Sequence, residues 1–252
     1  MKETKKVPPE AGKRYIAVPH KLFSFDAPDA RHHIMQGNVF DGETYTAAFY
    51  ERDGSDAGVV LMQMDVQGNR LRVSGPMNLY HANNITYNPR IGQFIVTHCQ
   101  GDGHCAHYSL VDPVTLTETA SGELERPFFA LAYSPERDMY GSGEWAGETV
   151  DVWDGDMRLL RSFSVERPSS LSQGCFCDGD YIWFVRSSVG GSGCELRLYD
   201  WDTGALAFRI PICSMGVEPE ALSVVNGEIY VLCNNNQYDG GVVFRLELEE
   251  AE

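Results

Sequence analysis

Residues 35–49, MQGNVFDGETYTAAF, contain the first copy of a repeat from which the fold can be predicted. Residues 172–185, SQGCFCDGDYIWFV, repeat its Gln-Gly and Asp-Gly pairs at the same spacing. Three further copies keep the pattern with a different turn, and they cover residues 82–96, 129–143 and 218–232. The copies recur at roughly 46 residues, a period typical of repeat architectures such as propellers. Each Asp-Gly, Asn-Gly or Pro-containing turn lies between apolar, β-rich segments, so each predicts a tight hairpin between two strands.

The sequence after each hairpin predicts two more strands, so each copy forms a four-stranded unit. Turn signals between the third and fourth strands stand at residues 65–68 and 201–204. The predicted fold class is therefore all-β, a five-bladed β-propeller of four-stranded antiparallel blades. The last copy ends on its third strand, so we expect an N-terminal strand from residues 14–28 to complete that blade and close the ring. We predict a flexible N-terminal lead over residues 1–13 and a single β-propeller domain over residues 14–252.

Composition restricts the compartment and the partners. The formal net charge of −16 disfavours nucleic acid, because binding to a phosphate backbone depends on clustered Lys and Arg. No apolar run approaches the ~20 residues that a membrane-spanning helix needs. The N-terminal residues also lack the apolar core of a secretory signal. We therefore predict a cytoplasmic chain with no nucleic-acid or membrane partner, which binds a small polar molecule or peptide. A protein partner is the other option.

The cysteines raise the question of a metal. Their number, seven, is odd and favours a reducing compartment over a disulfide framework. In THCQGDGHCAH, residues 97–107, a hairpin would place Cys99 opposite Cys105, with His104 nearby. Thiolates and imidazoles are zinc ligands, so these three residues are candidate metal ligands. The alternative is a polar loop with two small thiols. No cofactor is required by any motif, and a divalent metal is kept as an option.

Candidate site residues follow from the repeat alignment. In a propeller the first residues of every inner strand surround the central axis, where ligands commonly bind. The positions that the alignment places there are rich in hydrogen-bonding side chains and include two carboxylates. The predicted substrate-binding and catalytic residues from this alignment are His33, Gln36, His81, Asn83, Asn84, Gln173, Glu218 and Glu220. The alternative is that these polar groups bind ordered water and tie neighbouring blades together.

Side-chain chemistry suggests roles within that set. Glu220 is the first catalytic candidate, because burial near the axis would raise its pKa toward neutrality and suit it to general acid or base catalysis. His81 is the second candidate for proton transfer. Asn83, Asn84 and Gln173 are neutral donors for an oxyanion or an amide. Trp145 is a candidate aromatic wall, with core packing as its alternative. The sequence contains no nucleophile elbow, P-loop or dinucleotide fingerprint.

Several copies carry a resemblance to known propellers. QGNVFDGETY, QGCFCDGDYIW and EALSVVNGEIYVL resemble the blade starts of five-bladed glutaminyl cyclases, also called glutamine cyclotransferases. EPEALSVVNGEIY is similar to lactonase-type propellers, which hold a divalent metal on Glu and Asn side chains at the axis. The matched positions of the cyclase pattern are Gln36, Gly37, Gln173, Gly174 and Glu220. The resemblance implies a propeller fold and cyclase or hydrolase chemistry in its central pocket.

Three functional hypotheses remain at this stage. The first is a cofactor-free enzyme that binds a small polar substrate or a peptide terminus and uses general acid/base catalysis. The second is a non-catalytic propeller that binds a sugar, a peptide or a protein partner. The third is a metal-dependent hydrolase, which a chelator would inactivate. The inner-strand residues differ from blade to blade, which favours a single site and hence the enzyme.

Overall fold

The computed structural model describes residues 9–50, 58–98, 106–188, 193–235 and 237–251. Every regular element in these ranges is a β-strand, and none of the described segments is a helix that could cross a membrane. The strands in chain order are β1 Tyr15–Asp26, β2 Ile34–Phe40, β3 Thr44–Tyr50, β4 Val59–Asp65, β5 Arg70–Val73, β6 Asn84–Asn88, β7 Gln93–Thr97, β8 His107–Val111, β9 Glu118–Glu123, β10 Ala130–Ser134, β11 Met139–Gly143, β12 Thr149–Asp154, β13 Leu159–Ser164, β14 Leu171–Cys177, β15 Tyr181–Ser187, β16 Glu195–Asp200, β17 Leu206–Pro211, β18 Pro219–Val225, β19 Glu228–Asn234 and β20 Gly240–Glu250.

The strands form five four-stranded antiparallel sheets, which confirms the predicted five-bladed propeller. Blades 1 to 4 each use four consecutive strands, beginning with β2, β6, β10 and β14. Blade 5 contains β18, β19 and β20 and has β1 as its outer strand. The first strands of successive blades contact one another, and β18 contacts β2, so the ring is closed around these inner strands. The inner strands therefore surround the axis.

The outer strand of blade 5 comes from the chain's N-terminal region. β1 pairs antiparallel with β20 from Tyr15 opposite Glu250 to Asp26 opposite Gly240, with one irregularity after Lys21. The pairing joins the two ends of the described chain within one sheet, and it gives the last blade its fourth strand. Blade 5 thus resembles the other blades in size, and the ring has no gap between its first and last copies.

The Gln-Gly pairs that reveal the repeat have a packing role. The register of β2 shifts between Met35 and Asn38, and that of β14 shifts between Ser172 and Gly174, so each inner strand carries a β-bulge there. A Cβ on Gly37 would lie 2.5 Å from the carbonyl oxygen of Ala82 in blade 2. A Cβ on Gly174 would lie 2.8 Å from a backbone atom of blade 5. Glycine is needed because the backbones of neighbouring blades approach closely at both bulges.

Gly37→Ala should destabilise the protein by about 1–3 kcal/mol, because the added methyl group forces the backbones of blades 1 and 2 apart. The measurement is the free energy of unfolding in urea. Gly75→Ala is the matched control, since no atom lies within 4 Å of the position a Cβ would take there. Equal stabilities of the two variants would contradict the packing role of Gly37.

The core lies between the blades. Three tryptophans, Trp153, Trp183 and Trp201, are fully buried there. Their ring nitrogens all donate hydrogen bonds, for example from Trp183 to the Asp178 carboxylate at 2.8 Å. Buried aromatic residues therefore fill the wedge between adjacent sheets while their polar atoms stay satisfied. This packing holds the inner strands, and the side chains at their first residues, in fixed positions.

Candidate functional site

A polar cluster lies where the inner strands of blades 4 and 5 begin. The side-chain nitrogen of Gln173 donates hydrogen bonds to the Ser187 hydroxyl at 2.8 Å and to the Glu218 carboxylate at 2.9 Å. The Tyr238 hydroxyl donates to the other oxygen of Glu218 at 3.4 Å. The structure therefore brings two of the predicted residues, Gln173 and Glu218, into direct contact. We call the set Gln173, Glu218, Glu220 and Asn234 the axial acid cluster.

Glu220 lies deeper than Glu218, at the β-bulge of β18 between Pro219 and Ala221. Its side chain is 4% exposed and accepts a short hydrogen bond from the amide of Asn234. The same amide group exchanges two 2.9 Å hydrogen bonds with the backbone of Met35 in blade 1. Glu220 is thus held against the junction between the last blade and the first.

Burial controls the protonation of both carboxyl groups. Desolvation raises the pKa of Glu220 well above its usual value, and the neighbouring Glu218 charge raises it further, against the lowering effect of the Asn234 hydrogen bond. Desolvation also raises the pKa of Glu218, whose hydrogen bonds from Tyr238 and Gln173 oppose the shift. Pairs of carboxyl groups with unequal environments are a common source of acid and base roles in enzymes. Glu220 is the group better suited to hold a proton near neutrality.

This protonation predicts a pH-dependent stability. The pKa of Glu220 is raised in the folded state above its unfolded value of about 4.3, so the folded protein binds the proton more tightly. The stabilisation that protonated Glu220 gives the folded state is complete below the unfolded pKa, and it is lost as pH rises through the folded pKa. Between pH 5 and pH 8, wild type should therefore lose more unfolding free energy than Glu220→Gln. The extra loss should be about 1.4 kcal/mol for each pH unit by which folding raises the pKa of Glu220.

Urea unfolding at both pH values measures the effect. Glu43→Gln is the control. Glu43 is an exposed carboxyl in the turn after the inner strand β2 of blade 1, whereas Glu220 is buried near the start of the inner strand β18 of blade 5. Parallel pH profiles for wild type and both variants would contradict the assignment.

Asn84 spans the axis. Its side-chain nitrogen donates to the Leu131 carbonyl in blade 3 at 2.9 Å and to the Cys175 carbonyl in blade 4 at 3.3 Å. Its side-chain oxygen accepts from the Cys175 backbone nitrogen at 3.0 Å. Asn84 is fully buried, and all three of these bonds are to backbone. Its amide therefore ties blades 2, 3 and 4 together across the centre of the ring.

The sequence reasoning missed a second set of axial residues, the last residues of the second strand in three blades. Thr97 accepts from the Asn84 backbone nitrogen at 3.0 Å and donates to the Phe129 carbonyl of the next blade at 3.2 Å. Ser187 and Asn234 hold Gln173 and Glu220 as described above. The three residues occupy equivalent positions, so aligning the ends of the second strands would have found them.

His81 and Asn83 form a separate pair beside blade 2. A hydrogen bond of 2.7 Å joins the His81 Nδ1 atom to the Asn83 side-chain oxygen. The His81 ring contacts the Tyr50 ring at a tilt of 60°, with 4.4 Å between centroids. Desolvation lowers the pKa of His81, although the Asn83 hydrogen bond opposes the shift. The imidazole is therefore favoured in its neutral form.

Three buried polar atoms at the inner strands have no hydrogen-bond partner in the described part of the chain. They are the side-chain oxygen of Asn38, the side-chain nitrogen of Asn83 and the hydroxyl of Ser172. Ser172 is fully buried, and its neighbour along the chain is Gln173 of the axial acid cluster. Buried polar groups are nearly always paired, so orphaned groups of this kind mark places where water or a ligand binds.

The remaining predicted residues lie at the edges of this region. Gln36 is buried, and its side-chain nitrogen donates to the Met35 carbonyl at 3.0 Å. His33 is half-buried just before β2, with its Nδ1 atom 3.2 Å from the Arg31 carbonyl. Trp145 is 52% exposed, and its carbonyl accepts from the Ser172 backbone nitrogen at 3.0 Å. Trp145 is therefore an exposed aromatic surface at the same end as Ser172.

The proposed metal ligands Cys99, His104 and Cys105 lie outside the described residues. Within the described ranges, no group of three or more His, Cys, Asp and Glu side chains could hold a metal ion. Four cysteines in these ranges are buried and free, namely Cys175, Cys177, Cys194 and Cys233, and Cys213 is partly buried and free. Burial raises the pKa of Cys233 well above its usual value, which keeps this thiol protonated.

No family model and no curated protein matches the sequence. Among solved structures, the chain is similar to a luciferin-regenerating enzyme, with a TM-score of 0.54 and 12% identity over 91% of this chain and 95% of that one. It is also similar to Kuenenia stuttgartiensis hydrazine synthase, with a TM-score of 0.45 and 15% identity over 91% of this chain. The chain spans 58% of the length of that hydrazine synthase chain. The likeness to the luciferin-regenerating enzyme supports the propeller fold and says nothing of activity.

Proposed function

We propose that the protein is an enzyme that binds a small polar substrate or a peptide terminus at the axial acid cluster. Glu220 is the proton donor, and Glu218 is the base. The observation that carries the proposal is the pair of carboxyl groups at the start of β18, one buried and favoured as the acid, the other more exposed and hydrogen-bonded as a carboxylate. The fold is compatible with an enzyme, since a propeller of similar structure is named as a luciferin-regenerating enzyme.

The hydrogen bonds of Glu220 favour one of its two oxygens as the site of its proton. The Asn234 amide donates to the Oε1 atom of Glu220, so a proton on the neutral carboxyl belongs on Oε2. Glu218 accepts from Gln173 and Tyr238, and both bonds favour its ionised form. A substrate between the two groups would receive a proton from Glu220 and lose one to Glu218.

A metal at this cluster is a variant of the same proposal. Carboxylate and amide oxygens suit hard divalent cations, and Glu218, Glu220 and Asn234 supply them. However, the Asn234 amide points its nitrogen at Glu220, and its oxygen already accepts from the Met35 backbone nitrogen at 2.9 Å. The present hydrogen bonds therefore favour the metal-free enzyme, and a chelator should leave its activity unchanged.

The second candidate is a non-catalytic propeller that binds a sugar, a peptide or a protein partner. The observation in its favour is that Gln173, Glu218, Ser187 and Tyr238 already satisfy one another. Such mutual pairing is typical of polar groups that stabilise a ring. This reading predicts binding without turnover.

A turnover screen separates the two candidates. Wild type, Glu220→Gln and Glu43→Gln would be incubated with N-terminal glutaminyl peptides, lactones and small amides, with and without a chelator, and the products identified by mass spectrometry. A product made by wild type and Glu43→Gln, but not by Glu220→Gln, supports the enzyme. Saturable binding without a product in any sample supports the non-catalytic propeller, and loss with the chelator supports the metal variant.

A further inference from the structure

A cavity lies away from the axis, at the outer side of blade 2. Its volume is about 480 Å³, within the range of small-molecule sites. Its walls come from the connection before β6 and from the ends of β7, β8 and β9. The lining residues are Asn78, Tyr80, His98, His107, Tyr108, Glu118, Ser121, Gly122 and Glu123. We call this space the blade 2 cavity, and it shares no residue with the axial acid cluster.

His98 is the most deeply placed polar residue of this lining, with 6% exposure. Its Nε2 atom lies 2.9 Å from the Ser109 hydroxyl, and that hydroxyl donates its hydrogen to the Glu118 carboxylate at 2.6 Å. Because the serine hydrogen is already used, Nε2 must carry the imidazole hydrogen and donate it to the serine oxygen. The hydrogen bonds from His98 through Ser109 to Glu118 therefore fix the tautomer of His98.

The fixed tautomer leaves an acceptor without a partner. The Nδ1 atom of His98 is buried and has no hydrogen-bond partner in the described part of the chain. Because Nε2 donates to Ser109 and the buried Nδ1 atom has no partner in the described residues, these contacts favour the neutral ring. A neutral imidazole with a free lone pair accepts a hydrogen bond and does not repel a cation. Buried acceptors are nearly always hydrogen-bonded, so an unpaired one marks a place where a donor can bind.

The other lining side chains include carboxylates and tyrosine rings. Glu118 and Glu123 are exposed carboxylates, and the lining contains no Lys or Arg. Tyr80 covers His98 with a distance of 5.2 Å between ring centroids. Tyr80 also holds a left-handed backbone conformation at a φ of 52°, which is uncommon for an aromatic residue and costs free energy. Carboxylates beside aromatic faces form the usual environment for an organic ammonium or guanidinium group.

We propose that the blade 2 cavity binds an organic cation with N–H donors, a primary ammonium or a guanidinium group. Glu123 and Glu118 supply the opposite charge, the Tyr80 and Tyr108 rings supply aromatic faces, and His98 supplies the buried acceptor. The site is independent of the axial acid cluster, so it stands whether or not Glu220 is catalytic.

The test uses two probes of the same shape, n-butylguanidinium and its neutral isostere n-butylurea. Each is titrated into the full chain, and the histidine and tyrosine ring signals are followed by NMR. The cation should bind saturably and shift the signals of Tyr80, His98 and Tyr108, while the urea should bind about ten-fold or more weakly. Glu123→Gln and Tyr80→Leu should each weaken binding of the cation several-fold to ten-fold. Both residues are exposed, so both variants should fold.

Glu220→Gln and Glu43→Gln are the controls, and neither should change the affinity for the cation. Equal affinities for the two probes, or unchanged binding in both Glu123→Gln and Tyr80→Leu, would overturn the proposal. Binding of Zn²⁺ with no response to n-butylguanidinium would also overturn it, since the cavity would then be a metal site.

Discussion

Glu220→Gln is expected to lower kcat of the proposed reaction by about 10²–10⁴-fold, the range of general acid–base contributions, while the protein stays folded. Glutamine keeps the oxygen that accepts the Asn234 hydrogen bond, and it keeps the size of the buried side chain. It cannot release a proton, so only the chemical role of the residue is removed. Because substrate binding does not need that proton, KM should change far less than kcat.

The measurement is single-turnover kinetics on whichever substrate the turnover screen identifies, with the thermal unfolding midpoint as the folding control. The pH profile of wild type should show the ionisation of two groups, since Glu218 acts as a base and Glu220 as an acid. A variant that keeps kcat within a few-fold of wild type would remove Glu220 from the mechanism. A variant that no longer folds would indicate a structural role, and Glu220→Ala would then show the same defect.

The second large effect is expected at Asn84. Asn84→Ala removes three hydrogen bonds that join blades 2, 3 and 4, so the Leu131 carbonyl and the backbone of Cys175 lose these bonds in a buried place. An unsatisfied buried group costs about 1–3 kcal/mol, so the variant should lose about 3–5 kcal/mol of stability. This loss corresponds to a fall of roughly 10 °C or more in the unfolding midpoint.

Asn83→Ala is the matched control for Asn84→Ala. The two asparagines are adjacent and both are buried. Among the described residues, however, the side-chain nitrogen of Asn83 has no hydrogen-bond partner, and its oxygen bonds to His81. In the absence of ligand, Asn83→Ala should therefore cost much less stability. Equal losses for the two variants, measured by calorimetry, would contradict the axial role of Asn84.

Much of the fold could be predicted from local sequence signals. Asn226 and Gly227 both have a positive φ, of 52° and 77°, as the predicted hairpin between β18 and β19 requires. Gly37 and Gly174 recur because neighbouring backbones approach there, and this made the repeat visible. Turn chemistry and close backbone approach depend on a few adjacent residues, so one sequence suffices to recognise them.

The site is less accessible to sequence reasoning, because its contacts join residues from different blades. Asn84 and Cys175 meet across the ring, and nothing in either local sequence names the other as its partner. Asn234 lies at the end of a second strand, where the alignment of blade starts does not reach. The blade 2 cavity combines residues from the ends of three strands and from a connection, and no local motif marks them as neighbours.

The central claim is that the axial acid cluster binds a ligand through Glu220. The most direct test is a thermal-shift screen of wild type and Glu220→Gln against amino acids, sugars, N-terminal glutaminyl peptides and divalent metals. We expect a ligand that raises the unfolding midpoint of wild type in a saturable way and raises that of Glu220→Gln much less. Ligands that stabilise both proteins equally, or no stabilising ligand at all, would contradict it.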